Sequence, residues 1–378
     1  MTGEHAGPRV LIDATAVPFD RGGVGRYVDG LLSELTGDIV IACQERDAVY
    51  YAALAPLARV VPQKRISKTP IRLLWEQFVL VSVAKSVRAT VIFSPHYTIP
   101  LATRLPRVVT FHDATFFSDP DLHTPLKRLF FRIWMRLSAR HARAIIVPSA
   151  ATASELTRYV DRPSGFTVAL HGVDHERFTR PTAKEVAQFR DVAGLGPEPW
   201  IGFLGTIEPR KNVPALVLAY ADVVSRWQPT WGDVPTLALA GGRGWETELD
   251  SALSTVRSPG RVTQLGFIDI ERLRAFLGGA ELICYPSLGE GFGLPVLEAM
   301  ACGASVLTTR RLALPEVGGN AVAYSDVTVS AISTALEDLL SQPALQKQLS
   351  EAGVKRAAMF TWRASAMVHE LVFRQVTS

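Results

Sequence analysis

The densest chemistry in the chain lies in Tyr285–Met300, YPSLGEGFGLPVLEAM. Two carboxylates, Glu290 and Glu298, flank Gly291, Gly293 and Pro295. Proline suits the first turn of a helix. Glu290 is therefore expected on a strand-to-helix loop and Glu298 in the first helical turn. The backbone N–H groups of Phe292, Gly293 and Leu294 would point outward with the positive end of the helix dipole. That is a place for a sugar hydroxyl or a phosphate, and the two carboxylates can accept hydrogen bonds from vicinal hydroxyls. An acid near a helix start is ordinary, worth ~0.3–1 kcal/mol. Its coincidence with two glycines, a helix-start proline and a second acid is not. Arg210 and Lys211 form an adjacent cation pair after the apolar run Trp200–Gly205. Such a pair matches the need of a diphosphate leaving group, although by itself a basic pair beside a turn is the commoner reading. Gly22-Gly23 follows Arg9–Asp13, and His112-Asp113 ends Arg107–Phe111. The glycines alone mark a tight turn, and they lack the GxGxxG dinucleotide spacing. The histidine alone is as well explained by structure as by orienting a hydroxyl.

These groups must be held at strand ends. Short apolar runs alternate with amphipathic helical runs: Arg9–Asp13, Ile39–Ala42, Thr90–Ser94, Arg107–Phe111, Ala144–Pro148 and Phe166–Leu170 in the first half. Trp200–Gly205, Thr236–Ala240, Val262–Leu265, Leu282–Tyr285, Ala304–Thr308 and Ala321–Tyr324 follow in the second. A helix is expected from about Arg26 to Leu35, and Ser149 is placed to cap another. Continuous apolar strands separated by helices imply parallel sheets covered on both faces. Two such series imply an α/β chain of two doubly wound domains, and in such sheets ligands bind outside the carboxyl ends of the strands. His171–Thr182, with Gly172 and Pro181, is the best linker.

Composition excludes several classes. At 378 residues, 48% hydrophobic and 20% charged, the chain is globular and long enough for two domains. A net charge of +4 speaks against a dedicated nucleic-acid binder. Residues 1–180 hold 23 Lys and Arg against 16 Asp and Glu, the remainder 17 against 20. The halves are thus expected to meet different partners. Cys43, Cys284 and Cys302 form neither a disulfide framework nor a zinc cluster, which points to a reducing, cytoplasmic compartment. Met1–Pro8 lacks a signal-peptide core, and no apolar run approaches membrane-spanning length.

GEGFGLPVLEAMACG together with EPRKN resembles the retaining nucleotide-sugar glycosyltransferases of the GT-B fold, the large group 1 or family 4 set that includes bacterial mannosyl- and glucosyltransferases. GGVGRY at 22–27, FHD at 111–113, VPSAATASEL at 147–156, HGVDHERF at 171–178, GTIEPRKN at 205–212, GGRGWE at 241–246 and LPEVGG at 314–319 match in order. The resemblance covers nearly the whole chain. It implies two Rossmann-like domains facing across a cleft: 1–178 on the acceptor side, 179–360 for the nucleotide sugar, and a terminal helix, 361–378, crossing back to the first. It implies that Glu290 contacts the transferred sugar, Glu298 the nucleotide ribose, and Arg210 and Lys211 the diphosphate. Gly23 and Gly22 would approach the donor phosphates, and His112 the transferred sugar. The chain departs from many relatives at Thr206, where they carry arginine, and at His171, where they carry asparagine. His171 is expected in the interdomain hinge, and Arg210 to take over part of the missing arginine's work. Asp119-Pro120-Asp121 superficially resembles the DxD metal motif of another glycosyltransferase fold but lies far from the donor motifs, so no metal or other cofactor is expected.

The expected reaction moves a hexose with retention. The EPRKN form suggests mannose from GDP-mannose, with a cell-envelope glycan or its lipid-linked precursor as acceptor. A nucleotide-sugar 2-epimerase of the same architecture and a non-catalytic glycan- or partner-binding member are the alternatives. Residues 126–143 carry Lys127, Arg128, Arg132, Arg136, Arg140 and Arg143 without an acid. Arg132, Arg136, Arg140 and Arg143 are expected along one helical face. Lys127–Arg143 is thus a candidate for peripheral contact with an anionic membrane at its inner face, and Pro70–Val83 a weaker one. A helix that packs its apolar side inward and exposes its basic side is the equal alternative.

Overall fold

A computed structural model describes residues 7–64, 66 and 69–378. Most of the polar N-terminal stretch, residues 1–6, lies outside the described residues. The chain divides into two compact units, Met1–Gly172 with Thr361–Ser378, and Val173–Phe360. Each is built on one parallel sheet.

In the first unit the strands are β1 (Arg9–Asp13), β2 (Asp38–Gln44), β3 (Arg59–Gln63), β4 (Val91–Ser94), β5 (Arg107–Thr110), β6 (Ala144–Val147) and β7 (Thr167–Val168). Their order is β3-β2-β1-β4-β5-β6-β7. Strand β1 is central, with Ile12 opposite Ile41 on one side and Phe93 on the other. Leu11, Ile41, Ile92 and Val108 are fully buried, as two covered faces require. Strand β3 was not legible in the sequence. It is an edge strand interrupted by Pro62 and partly exposed, so it carries no clean apolar run. Strand β7 is only two residues long rather than the five expected.

The helix after β1 spans Gly22–Leu32, four residues earlier than the sequence suggested. Arg21 precedes it with φ 56°, a left-handed conformation. Its guanidinium grips Asp29 in the third turn, with Nε–Oδ2 at 2.6 Å and Nη2–Oδ1 at 2.5 Å. This fork anchors the helix start, so the glycine pair becomes its first turn. The terminal helix, Trp362–Thr377, belongs to the first unit. His369 Nδ1 donates to Ser365 O, which leaves Nε2 to accept from Tyr27 Oη at 2.8 Å. Gly30 permits the close approach of Trp362, because a Cβ there would lie 2.2 Å from the indole. His171, expected in a hinge, is buried in the same aromatic group, its ring 4.7 Å from Tyr27 and 5.6 Å from Trp362.

The second unit contains β8 (Trp200–Leu204), β9 (Thr236–Ala240), β10 (Val262–Gly266), β11 (Leu282–Tyr285), β12 (Val306–Thr309) and β13 (Ala323–Ser325). They run in the order β10-β9-β8-β11-β12-β13. Both sheets reverse direction of winding next to their first strand. The crevice is therefore between β1 and β4 in one unit and between β8 and β11 in the other, where doubly wound sheets bind ligands.

Candidate functional site

The loops leaving β8 and β11 carry EPRKN and GEGFG. They meet at the switch point of the second sheet. Pro209–Lys211 forms a single 3-10 turn that turns both cations toward the β11 loop. Leu288 N–H donates to Arg210 O at 2.8 Å and ties the two loops together.

Glu290 is the hub. Its Oε2 lies 2.5 Å from Arg210 Nη1, and its Oε1 lies 2.6 Å from Lys211 Nζ. Tyr285 Oη and Ser287 Oγ also donate to Oε1, at 2.9 and 2.7 Å. Burial pushes this carboxyl up, but Arg210, Lys211 and Ser287 overcome it and hold it at about 2. Glu290 is thus an anion at every working pH. Burial and Arg210 pull the Lys211 ammonium below its ordinary value, against Glu290, which holds its proton on. Tyr285 is raised well above its ordinary value by burial and by Glu290, so it stays a neutral donor. Arg210 reaches further, to Glu208 Oε1 at 2.8 Å and Gly289 O at 2.8 Å. One guanidinium and one ammonium face two carboxylates, a charge-balanced set. Sequence reasoning missed Glu208, Tyr285 and Ser287 as members. Their place inside the two motifs was the only available signal.

The helix after the glycine loop spans Leu294–Ala301, with Gly293 before it at φ 106°. That left-handed angle is why glycine sits there. Glu298 is the fifth helical residue, so it lies in the second turn and not the first as expected; the helix starts one residue before Pro295. Phe292, Gly293, Leu294 and Glu298 are all buried. Thr206 is exposed.

The remaining expected residues lie in the first unit. Gly22 and Gly23 are exposed at the carboxyl end of β1, and a Cβ on either would meet nothing within 4 Å. The fold does not need glycine at 23. Gly23→Val is therefore expected to keep the wild-type melting temperature, which a melting curve checks.

His112 is tethered by its Nε2, which donates to Pro95 O at 2.9 Å. A carbonyl only accepts, so Nδ1 carries the lone pair. Burial lowers its basicity, so the ring is neutral at physiological pH and presents Nδ1 as an acceptor for a hydroxyl. Asp113 caps the following turn, accepting from Thr115 N at 3.1 Å and Thr115 Oγ1 at 2.8 Å. Asp119 accepts from Ser118 Oγ at 2.6 Å, and Asp121 faces Arg128 at 3.7 Å.

Comparison with known proteins follows the same division. The model of the glycosyl transferases group 1 matches residues 187–356, and that of glycosyltransferase family 4 matches 21–177. The O-antigen chain mannosyltransferase B of Escherichia coli is 30% identical over 271 residues, covering 71% of this chain and 70% of its own. A serotype-specific mannosyltransferase of Escherichia coli, WbdA, is 32% identical over 228 residues, covering 60% of this chain but only 28% of its own. The crystal structure of Anabaena HepE in complex with UDP and glucose superposes with a TM-score of 0.73 at 17% identity, covering 98% of this chain and all of that one. The fold is GT-B.

Proposed function

The chain belongs to the group 1 glycosyl transferases, and from that premise we propose that it transfers mannose from GDP-mannose, with retention of anomeric configuration, to a growing cell-envelope glycan of the O-antigen kind. Glycosyl transfer is the family's activity. The donor and acceptor rest on the two mannosyltransferase relatives, one of which acts on O-antigen chains. The observation that carries the chemistry is the convergence of Arg210 and Lys211 on Glu290 at the switch point of the second sheet.

In this reading the donor's diphosphate takes the place of carboxylate contacts around Arg210 and Lys211. The bond from the sugar's anomeric carbon to the phosphate oxygen breaks, and its electron pair stays on the diphosphate. The acceptor hydroxyl attacks the same face of that carbon, and its proton passes to the departing diphosphate oxygen. The products are a glycoside and a nucleoside diphosphate, and no separate general base is needed. Positive charge developing on the sugar faces the Glu290 carboxylate, which keeps its hydrogen bond from Ser287 Oγ. Glu290 orients hydroxyls of the transferred sugar and Glu298 takes the ribose; in its own unit, His112 Nδ1 offers an acceptor to a hydroxyl. The cation pair supplies the charge that stabilises the leaving group, so we assign no metal to this step. Melting the protein with a panel of nucleotide sugars tests the donor. GDP-mannose at about 100 times its dissociation constant should add ~2.7 kcal/mol. Stabilisation by UDP-sugars alone would reject it, and epimerised nucleotide sugar formed from donor alone would reject transfer.

We further propose contact with an anionic membrane surface through the helix Pro125–His141, on an arrangement that differs from the one expected. Arg132 turns inward, donating to Phe116 O at 2.6 Å, so it leaves the basic face. The exposed residues instead mix Leu126, Leu129 and Ile133, at 80%, 58% and 47%, with Lys127, Arg136 and Arg140. On Thr69–Ser86, Ile71, Leu74 and Phe78 are exposed as well. Among the described residues no helix is long and apolar enough to cross a membrane. Leu129→Asp with Ile133→Asp should abolish sedimentation with phosphatidylglycerol vesicles while leaving melting unchanged. Equal sedimentation of variant and wild type would refute the contact.

A further inference from the structure

Four arginines of the first unit converge on a cavity at the opposite end of the strands from its crevice. Arg143 immediately precedes β6, and residues 159–164 lead from the helix Ala150–Leu156 toward β7, so both lie at the amino ends of these strands. Between them and the last turns of the helix Pro125–His141 opens a cavity of 630 Å³. Arg136, Arg140, Arg143 and Arg162 line it, with Tyr159 and a single carboxylate, Asp161. Arg162 braces the site: its Nη1 donates to Ala139 O at 2.7 Å, its Nη2 to Arg143 O at 3.0 Å and its Nε to Gly165 O at 3.0 Å. It thereby satisfies carbonyls at the helix end, where the helix dipole would otherwise present negative charge to the cavity. Arg136 lies over the Phe117 ring at 5.2 Å, and Phe117 stacks on Tyr159 at 5.3 Å, so two walls are joined through one ring. Arg136, Arg140 and Arg143 are exposed. Among the described residues none of the three faces a carboxylate within ion-pair distance, whereas Arg21 faces Asp29 and Arg226 faces Asp222.

The class of ligand follows from volume and charge. Small-molecule sites occupy ~300–1,000 Å³, and this cavity falls in that range. Four guanidinium groups against one carboxylate leave a local charge of +3. The planar fork of a guanidinium matches two oxygens of one phosphate, so arginine in this number favours phosphoryl groups. One phosphoryl group brings about −1.5 to −2, so a single group leaves the charge unmet and two meet it. A nucleic-acid strand calls instead for a long basic groove with aromatic stacking platforms, and the whole chain carries only +4. We propose that this cavity binds a small soluble oligophosphate, a molecule with two or more linked phosphoryl groups. The proposal does not rest on the glycosyl-transfer reading, whose diphosphate contacts, Arg210 and Lys211, belong to the other unit. The ligand would bridge the last turns of the helix to residues 159–164 and so stabilise the first unit when bound.

Calorimetric titration with inorganic pyrophosphate, in buffer free of divalent metal, compares the wild-type protein with Arg140→Gln, Arg143→Gln and Lys211→Ala. Arg140 and Arg143 are exposed, so their variants should melt as the wild type does without ligand. The expected result is pyrophosphate affinity lowered at least about tenfold in each arginine variant and unchanged at this site in Lys211→Ala. Added pyrophosphate should also raise the melting temperature of the wild type more than that of either arginine variant. A wild type that binds no pyrophosphate, or arginine variants that bind it as the wild type does, overturn the proposal. Binding lost in Lys211→Ala and kept in the arginine variants overturns it too, and assigns the anion to the other unit. Sedimentation with phosphatidylglycerol vesicles that depends on Arg140 and Arg143, without pyrophosphate binding, overturns it in favour of a lipid headgroup.

Discussion

Lys211→Ala is expected to lower kcat by about 10²–10³, the cost of removing one preorganised donor to developing charge. Two effects combine at this position. The ammonium is buried and 2.6 Å from Glu290, so its loss removes a neighbour of a buried carboxylate and, in the proposed reaction, a partner of the leaving diphosphate. Breaking a buried ion pair costs about 3–5 kcal/mol when the remaining charge is stranded. Here it is not stranded: Arg210 Nη1 remains at 2.5 Å and Ser287 Oγ at 2.7 Å. The variant should therefore melt lower yet stay folded. Single-turnover rates measured well below its melting temperature isolate the chemical loss. A rate within about threefold of wild type would remove Lys211 from the transition state.

Glu290→Gln is the second large effect, and its signature differs. The amide keeps the shape but not the charge, so kcat should fall about 10² as the sugar loses its anionic neighbour. Two consequences distinguish this from general damage. Arg210 and Lys211 lose a competitor, so GDP should bind more tightly to the variant than to the wild type. Lys211 also loses the group that holds its proton on, against burial and Arg210, which already pull it down. Its basicity falls further, so the alkaline limb of the kcat/KM profile should move to lower pH. The acid limb owes nothing to Glu290 in the wild type above about 2, where it is already ionised. Weaker GDP binding together with an unmoved alkaline limb would show that Glu290 does not govern these cations.

Much of this was legible in the sequence because it is local. TLALA at 236–240 is a fully buried strand and reads as one, since both faces of a parallel sheet are covered. The glycine-rich loop and Pro295 announce a strand-to-helix turn, and the structure has one. What failed to show depends on distant partners. The start of the first helix is set by the grip of Arg21 on Asp29, which periodicity does not reveal. The inward turn of Arg132 depends on carbonyls at Phe116 and Phe117, so a helical wheel placed it on the wrong face. The pairing of Glu290 with Arg210 joins residues 80 positions apart. Asp13, Glu76 and His96 form no motif; Asp13 and His96 meet because β1 and β4 are neighbours, and Glu76 joins them from the helix Thr69–Ser86. The halves of unlike charge told only that two domains would differ.

The most direct test of the account is proton and carbon NMR of the glycoside formed from GDP-mannose, in which mannose is α-linked to the diphosphate. The proposed front-face displacement, in which the diphosphate leaves the anomeric carbon while Arg210 and Lys211 hold it and Glu290 lies beside the sugar, predicts that the first product formed is the α-mannoside. A β-mannoside as the first product would contradict it, because attack from the opposite face needs a general base that this site does not assign.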